Sequence, residues 1–234
     1  MNDFYTVLII GTIHSEYGTI HPNERFLQTL EAINSVRTHI PNSKIFYIDN
    51  SNTPLHEDIK NILQQNVDVF RQMEHNLFSR LANHQHVRDK SPAECNLMDY
   101  ALQVIKDHPD FIGKRIFKLS GRYKISDSFD LSFYDNPALK GKYTLLPRMW
   151  ATSLDGFDTV RHNTHFETAL ISFDSELLDE FKKIHQGMLL LLQKWPGTCI
   201  EEAMYQSVPH EKVFPIEKQH VEGIKADGDK YLID

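Results

Sequence analysis

The first fifty residues alternate between apolar runs and polar breaks in the way that a β-α-β unit does. Residues 6–10 (TVLII) are apolar and mostly β-branched, which is typical of a buried strand in a parallel sheet, and Gly11 ends the run. After Pro22, apolar residues recur at helical spacing as far as position 40, and residues 44–48 (KIFYI) predict a second strand. Two buried strands joined by one helix predict a right-handed parallel crossover.

The rest of the chain continues this alternation and predicts one α/β domain, a three-layer α/β/α sandwich around a mostly parallel, Rossmann-like sheet. The predicted helices cover residues 55–63, 94–106, 175–195 and 200–208, with a helical turn at 78–81. The predicted strands cover 67–70, 115–119, 143–150, 166–173 and 213–216, of which 143–150 and 166–173 are candidates for an antiparallel addition. Residues 83–93 predict a loop, 126–142 an irregular segment and 218–234 a polar tail.

The composition of the chain argues against nucleic acid and a membrane interior as partners. The net charge of -7 argues against nucleic acid, whose phosphates bind basic surfaces. The two cysteines, Cys95 and Cys199, form no CxxC pair and predict reduced thiols in a cytoplasmic protein. The chain opens without the pattern of a signal peptide, and its longest apolar run, residues 188–192, is too short to cross a bilayer. We therefore expect at most peripheral contact with a membrane.

Polar clusters follow several predicted strands, and they mark the default ligand site. They comprise residues 11–15, 49–52 and 120–123, together with the 83–94 segment. In an open parallel sheet, ligands bind outside the carboxyl ends of the strands, where such clusters meet. Neither a GxGxxG nor a GxxxxGK[ST] pattern is present, which excludes the usual dinucleotide and P-loop fingerprints.

Individual residues in these clusters have two interpretations each. Asp49 either accepts hydrogen bonds from a ribose hydroxyl or a base N–H, or closes an Asx-turn on its own backbone. Arg122 is placed to bind a phosphate through two N–H groups and Lys118 to act as a point charge, while Gly121 allows close approach of the backbone. The alternative is that Lys118 pairs with a surface carboxylate and Tyr123 belongs to the core.

Two acidic residues and a histidine complete the candidates. Glu201 and Glu202 open a short helix, where acids stabilise the helix N-terminus, and either is also a candidate general base. His220 is a lone histidine after a predicted strand. No HExxH or comparable spacing occurs, so spacing alone predicts no metal site.

Four stretches, taken together and in order, resemble the GT-A fold glycosyltransferases, a class of nucleotide-sugar-dependent enzymes. They are VLIIGTIH with the later KIFYIDNSN, then DKSPAECNLMDYAL, then FKLSGRY, and finally GTCIEEAMYQSV followed by QHVEGI. The FKLSGRY turn resembles sugar transferases of capsule and lipopolysaccharide type. The resemblance implies a nucleotide-binding half at about 1–125 and an acceptor half at about 126–234. It also implies transfer of a sugar from a nucleotide-sugar, with a UDP-sugar expected, to an acceptor hydroxyl.

The same resemblance assigns roles to individual residues. It places Thr12 and Ile13 at the nucleotide base, Asp49 at the base or ribose, and Lys90 and Glu94 near the donor. Ser120, Gly121 and Arg122 stand where the family has its Asp-x-Asp motif. Glu202 or Glu201 would be the catalytic base or the acid that orients the acceptor, and His220 would belong to a metal site.

The chain departs from the family at the Asp-x-Asp motif, which holds Mn²⁺ or Mg²⁺ on the donor diphosphate. A serine, a glycine and an arginine stand there instead, so metal dependence is an open question. Either Arg122 neutralises the diphosphate, or other acids hold a metal, the candidates being Asp127, Asp130, Asp135, Glu222 and Asp227.

Two alternative functions remain. A nucleotidyltransferase or sugar-nucleotide pyrophosphorylase usually carries a basic, glycine-rich loop after the first strand, which residues 11–18 (GTIHSEYG) lack. A degenerate module that binds nucleotide-sugars without turnover is consistent with the missing Asp-x-Asp motif.

Overall fold

A computed structural model describes residues 2–15, 20–73, 90–153, 160–195, 198–224 and 230–233. In chain order, its strands are β1 (Tyr5–Gly11), β2 (Ser43–Asp49), β3 (Val69–Gln72), β4 (Arg115–Ser120), β5 (Tyr123–Ile125), β6 (Tyr143–Ser153), β7 (Val160–Asp174), β8 (Val213–Pro215), β9 (Val221–Ile224) and β10 (Lys230–Ile233). Its α-helices are α1 (Pro22–His39), α2 (Glu57–Asn66), α3 (Lys90–Lys106), α4 (Leu178–Lys194) and α5 (Ile200–Ser207).

Seven strands form a mostly parallel sheet in the order β3-β2-β1-β4-β7-β6-β8. Strand β1 is parallel to both β2 and β4, and β2 is parallel to β3. Strand β7 runs antiparallel to β4 and β6. The predicted β-α-β unit is therefore confirmed, and so is the antiparallel addition formed by the two later strands.

Two apolar cores sandwich this sheet and explain why β1 has an uninterrupted apolar sequence. Leu8 and Ile10 point toward α3, α4 and α5, whereas Val7 and Ile9 point toward α1. These four side chains are at most 4% exposed, because a central parallel strand is covered on both faces. The three-layer α/β prediction is confirmed.

Helix α1 begins and ends where its sequence predicts. Pro22 occupies the first turn, where its missing N–H costs nothing, and the side chain of His21 accepts a hydrogen bond from the backbone N–H of Asn23. The helix stops before Pro41, because the residue preceding a proline disfavours the helical conformation. Helix α1 therefore begins near the carboxyl end of β1, where Arg25 contacts the carbonyl oxygen of Thr12.

A second, three-stranded antiparallel sheet, ordered β10-β9-β5, was missed by the sequence analysis. Tyr123–Ile125 and the segment interpreted as a polar tail pair across about a hundred residues of sequence, with Tyr123 opposite Gly223 and Ile125 opposite Val221. The sheet packs with α1, since Val221 and Ile125 belong to the same core as that helix. It anchors the chain directly after Arg122.

Smaller differences concern element boundaries. Residues 90–93 belong to α3 and not to a loop, because a proline is tolerated in the first turn of a helix. Residues 175–177 form a 3-10 turn before α4, and two more 3-10 turns lie in the irregular 126–142 segment. The helical turn predicted at 78–81 lies outside the described residues. The division into two halves stays a prediction. None of the described helices combines the length and apolar character needed to span a membrane.

Candidate functional site

The loops that follow β1 and β2 are joined by the carboxylate of Asp49. Its Oδ2 accepts hydrogen bonds from the backbone N–H of Ile13 at 3.1 Å and from the hydroxyl of Tyr47 at 3.0 Å, and its Oδ1 accepts one from the N–H of Ser51 at 2.8 Å. The hydroxyl of Ser51 in turn accepts from the N–H of His14 at 2.8 Å. Residues 12–14 after β1 and residues 50–52 after β2 are therefore joined into what we call the floor at the sheet edge.

This arrangement corrects the predicted roles of Asp49 and Ile13. Asp49 has no exposed surface and closes the Asx-turn with Ser51, and both of its oxygens accept hydrogen bonds from the protein, so it shapes the loop. Burial raises the pKa of Asp49, although its donors, Ser51 first among them, act in the opposite direction. Ile13 is also fully buried and belongs to the core. Thr12 is partly exposed, and its place at the base stays a prediction.

Lys118 lies on β4, where its side chain is only 3% exposed. Its Nζ donates to the carbonyl oxygen of Thr168 at 2.6 Å and to the hydroxyl of Ser120 at 2.9 Å, and it lies 3.5 Å from Oε1 of Glu94. Burial lowers the pKa of Lys118, while the charges of Glu94 and Glu201 oppose that shift. The alternative in which Lys118 pairs with a carboxylate is thus observed: Lys118 itself is buried, and the Glu94 side chain is 32% exposed.

Glu201 and Glu202 are adjacent in sequence and have different environments. Oε1 of Glu201 accepts a hydrogen bond from the hydroxyl of Thr168 at 3.1 Å. Burial, and then the charge of Glu94, raise the pKa of Glu201. Glu202 closes a capping box with Cys199, which matches the helix-capping interpretation for this residue. Only Glu201 joins Glu94 and Lys118.

Arg122 is the second residue of the turn between β4 and β5. The N–H of Gly121 donates to the carbonyl oxygen of Ile10 at 2.7 Å, which holds this turn against the end of β1. A Cβ on Gly121 would lie 3.1 Å from that oxygen, so glycine suits the close approach. The guanidinium carbon of Arg122 lies 5.2 Å from the ring centre of Tyr123. Its Nε is buried and has no hydrogen-bond partner within the described ranges.

The electrostatic environment keeps Arg122 charged. Burial opposes the charged form, but Tyr123, Glu94 and Glu201 together raise the pKa of this guanidinium above its usual value. Together, Glu94, Lys118, Arg122 and Glu201 form what we call the charged cluster. All four residues are candidates from the sequence, and the structure brings them together at the carboxyl ends of β1 and β4.

Arg25 is a second arginine at this edge that the sequence analysis missed. Its Nη1 lies 3.4 Å from the carbonyl oxygen of Thr12 and its Nε 3.4 Å from that of Ile20. Burial lowers the pKa of Arg25, and the nearby positive charge of Arg122 lowers it further. A signal was available, since Arg25 lies in the first turn of α1, where the helix dipole disfavours a cation.

Strand β7 extends past the end of β4 and forms a wall beside the charged cluster. Leu170 pairs with Leu119 near the end of β4, so residues with lower numbers on β7 lie beyond the sheet edge. There, Oε1 of Glu167 lies 3.4 Å from Nε of Arg148 and 3.6 Å from Nε2 of His165. The sequence analysis did not identify this group, because the hairpin pairing that aligns it is not local.

His220 lies away from the charged cluster. It immediately precedes β9 and lies opposite Ser126, roughly 13 Å along the strand from Arg122, and its Nδ1 is 2.8 Å from the hydroxyl of Ser128. No group of three or more His, Cys, Asp or Glu residues that could hold a metal occurs in the described part of the chain. The structure therefore does not place His220 in a metal site near the turn after β4.

The other candidate metal ligands have partners elsewhere or fall outside the described residues. Asp127 lies 3.6 Å from Nε2 of His39, Asp130 caps the turn at 131–135, Asp135 pairs with Lys114 and Glu222 pairs with Lys124. Asp227 lies outside the described residues. The side chain of Lys90, which begins α3, is likewise not described.

Neither cysteine is a nucleophile of this site. Both are free, and burial raises the pKa of each thiol to about 12. Cys95 donates to the carbonyl oxygen of His185, and Cys199 caps α5. Thiols with such high pKa values are protonated at neutral pH and inert.

Comparison with solved structures identifies the architecture. The chain superposes on the galactosyltransferase LgtC, solved with donor and acceptor sugar analogs, with a TM-score of 0.52 and 10% identity over 89% of this chain and 72% of that chain. It superposes on the bifunctional glycosyltransferase WbbM, solved without ligands, with a TM-score of 0.53 and 14% identity over 92% of this chain and 39% of that chain. The chain has a GT-A glycosyltransferase-like fold.

The GT-A-like architecture is shared with nucleotidyltransferases. A putative glucose-1-phosphate thymidylyltransferase from Bacillus anthracis, solved with sucrose, superposes with a TM-score of 0.53 and 8% identity over 94% of this chain and 89% of that chain. No protein-family model matches the sequence, and no curated protein sequence shows significant similarity to it. The chain spans less than half the length of WbbM, and identities this low establish the fold alone.

Proposed function

We propose that this protein is a glycosyltransferase that moves a sugar from a nucleotide-sugar, with a UDP-sugar as the first candidate, to an acceptor hydroxyl. The observation that carries the proposal is the position of Arg122. It lies at the carboxyl edge of a GT-A-like sheet, with a buried Nε that has no hydrogen-bond partner among the described residues. A guanidinium in this position can bind a phosphate through parallel N–H bonds, and a nucleotide-sugar carries two phosphates.

The joined loops after β1 and β2 are the proposed floor for the nucleoside. Asp49 and Ser51 fix their shape, and Thr12 keeps part of its surface exposed. A floor held by buried hydrogen bonds is ordered before the ligand arrives, so binding costs less conformational entropy. Arg122 follows β4, which is the strand paired with β1, so we propose that a diphosphate attached to the nucleoside extends from the floor toward this arginine.

Glu201 is the proposed general base for an inverting reaction. It would take the proton of the acceptor hydroxyl as that oxygen attacks the anomeric carbon, while the bond from this carbon to the phosphate oxygen breaks. The departing nucleoside diphosphate gathers negative charge, which Arg122 would stabilise. The acceptor would enter along β7, beside Glu167 and Arg148.

The two alternatives differ from this proposal in their products. A nucleotidyltransferase joins a nucleoside triphosphate to a sugar phosphate and releases pyrophosphate from the triphosphate. A glycosyltransferase transfers the sugar of a nucleotide-sugar and releases a nucleoside diphosphate. A binding module releases neither. Residues 11–18 contain no lysine or arginine, which favours the glycosyltransferase over the nucleotidyltransferase. Assays for both products with a panel of nucleotides and nucleotide-sugars distinguish the three functions.

Replacing Arg122 with alanine tests whether this arginine binds the diphosphate. We expect Arg122→Ala to weaken the binding of nucleoside diphosphates about 10- to 100-fold by calorimetry, because a charge-assisted pair is lost, and to leave nucleoside binding unchanged. Arg37→Ala is the matched control, since Arg37 contacts Ser43 and Asp68 at the opposite edge of the sheet. Equal diphosphate affinity in the two variants would remove Arg122 from the site.

A further inference from the structure

The charges around the proposed diphosphate position do not suit a divalent metal ion. The charged cluster sets two carboxylates, Glu94 and Glu201, against two cations, Lys118 and Arg122. Arg25 adds a third cation at the same edge. Within the charged cluster, a divalent cation would therefore meet two carboxylates that are already balanced by two cations, whereas hard cations such as Mg²⁺ and Mn²⁺ require uncompensated oxygen ligands.

The ligand atoms on the turn after β4 lead to the same result. The hydroxyl of Ser120 already accepts a hydrogen bond from Lys118, and Gly121 has no side chain. Arg122 places a positive charge where a metal ligand would stand. These residues do not fit a metal, but they do fit an anion that carries two or more negative charges.

We propose that the site binds the diphosphate of its donor without a metal ion, with Arg25 and Arg122 supplying the positive charge. This inference rests on the proposed function. The two arginines flank the end of β1: Arg25 reaches it through the carbonyl oxygen of Thr12, and Arg122 reaches it through the contact of Gly121 with Ile10. A diphosphate between them would relieve the repulsion between the two guanidinium groups, which gives binding a favourable Coulomb contribution.

Calorimetry on metal-stripped protein tests the inference. The full chain is titrated with the nucleoside diphosphate of the best-binding donor, once in EDTA and once in excess Mn²⁺. We expect the same affinity in both conditions. We also expect Arg25→Ala and Arg122→Ala each to weaken diphosphate binding about 10- to 100-fold in EDTA, and Arg37→Ala to bind as the unmodified chain does. Arg122→Lys keeps the charge and should recover part of the loss.

A double variant designed to make diphosphate binding depend on a metal ion provides a second test. The double variant Ser120→Asp with Arg122→Asp places two carboxylates on the turn and should bind the diphosphate only when Mn²⁺ is present. Thermal unfolding of each variant confirms that it is folded before the titration. If the unmodified chain binds diphosphate in Mn²⁺ and not in EDTA, the metal-free inference is wrong and the proposed function stands. If no nucleotide binds in either condition, the proposed function fails and the inference fails with it.

Discussion

Two neighbouring glutamates show how burial assigns different roles to the same side chain. Glu202 points back to the start of α5 and accepts a hydrogen bond from the N–H of Cys199, so its carboxylate is committed to capping. Glu201 faces Thr168 and the charged cluster, where burial and Glu94 raise its pKa. A carboxyl whose pKa moves toward neutrality is a better base, because it holds a transferred proton more strongly.

The pH profile of the reaction tests this difference. A base must be deprotonated to act, so the raised pKa of Glu201 should shift the acidic limb of kcat to a higher pH than an exposed glutamate would give. Removing the charge of Glu94 with Glu94→Gln should shift that limb to a lower pH. Glu201→Gln should lower kcat about 10²- to 10⁴-fold, while Glu202→Gln, which still accepts from Cys199, should keep most of it. An unmoved limb in Glu94→Gln would contradict the coupling of the two carboxylates.

At the level of elements, the second sheet fixes the position of Arg122. Strand β9 pairs with β5 immediately after this arginine, and Gly223 lies against its backbone. A Cβ on Gly223 would overlap the carbonyl oxygen of Arg122 and the side chain of Tyr123, so only glycine permits this approach. The small sheet therefore sets the direction in which the guanidinium leaves the turn.

Gly223→Ala should consequently weaken diphosphate binding while the main sheet stays folded. The added methyl group must push β9 away from β5, which loosens the support of Arg122. Gly187→Ala is the control, because a Cβ there meets nothing within 4 Å and alanine favours a helix by up to about 1 kcal/mol. Far-UV circular dichroism and diphosphate titration of both variants check the prediction. Unchanged affinity in a folded Gly223→Ala protein would show that the second sheet does not position the arginine.

The same elements show what the sequence could and could not predict. Strand β1 and helix α1 were predictable, because the spacing of their apolar residues is a local pattern. Adjacent residues such as Pro22 also mark where the helix begins. Strands β5 and β9 are three and four residues long and pair across the length of the chain, so neither carries a local signal. The place of Arg122 at the sheet edge was predictable from its position after a strand, and its role toward a phosphate stays a prediction. The burial of Asp49 was not, since the same sequence suits a ligand contact and an Asx-turn equally well.

At the scale of the whole molecule, the free energy of unfolding depends on a buried histidine in the helical layer next to the charged cluster. His185 on α4 is 1% exposed, and its Nδ1 lies 3.0 Å from the carbonyl oxygen of Phe181, so Nδ1–H donates and Nε2 is left bare. Nε2 has no hydrogen-bond partner among the described residues. His185 and Lys118 line the same small cavity, whose volume of about 10 Å³ is close to the least that holds one water molecule.

Acid should therefore destabilise the protein through His185. Burial lowers its pKa from 6.5 to about 4, and the charge of Lys118 acts in the same direction, while Asp99 and Glu94 oppose it. The unfolded chain binds a proton at this position below pH 6.5 and the folded chain does so only near pH 4. The stability that His185 contributes is thus fully present above pH 6.5. It is lost as the pH falls from 6.5 to about 4, by about 3 kcal/mol in total.

Denaturant unfolding of His185→Asn across this pH window isolates that contribution. Asparagine can keep a donor near Phe181 but does not titrate, so the free energy of unfolding should fall less steeply between pH 6.5 and 4 than in the unmodified chain. His56→Asn is the control, because His56 is an exposed N-cap that asparagine replaces well, and it should keep the full slope. Carboxylates elsewhere titrate alike in all three proteins, so the difference between their slopes belongs to the substituted histidine. Parallel slopes in the unmodified and His185→Asn proteins would mean that His185 becomes protonated in the folded state without cost, and that water reaches the cavity behind the charged cluster.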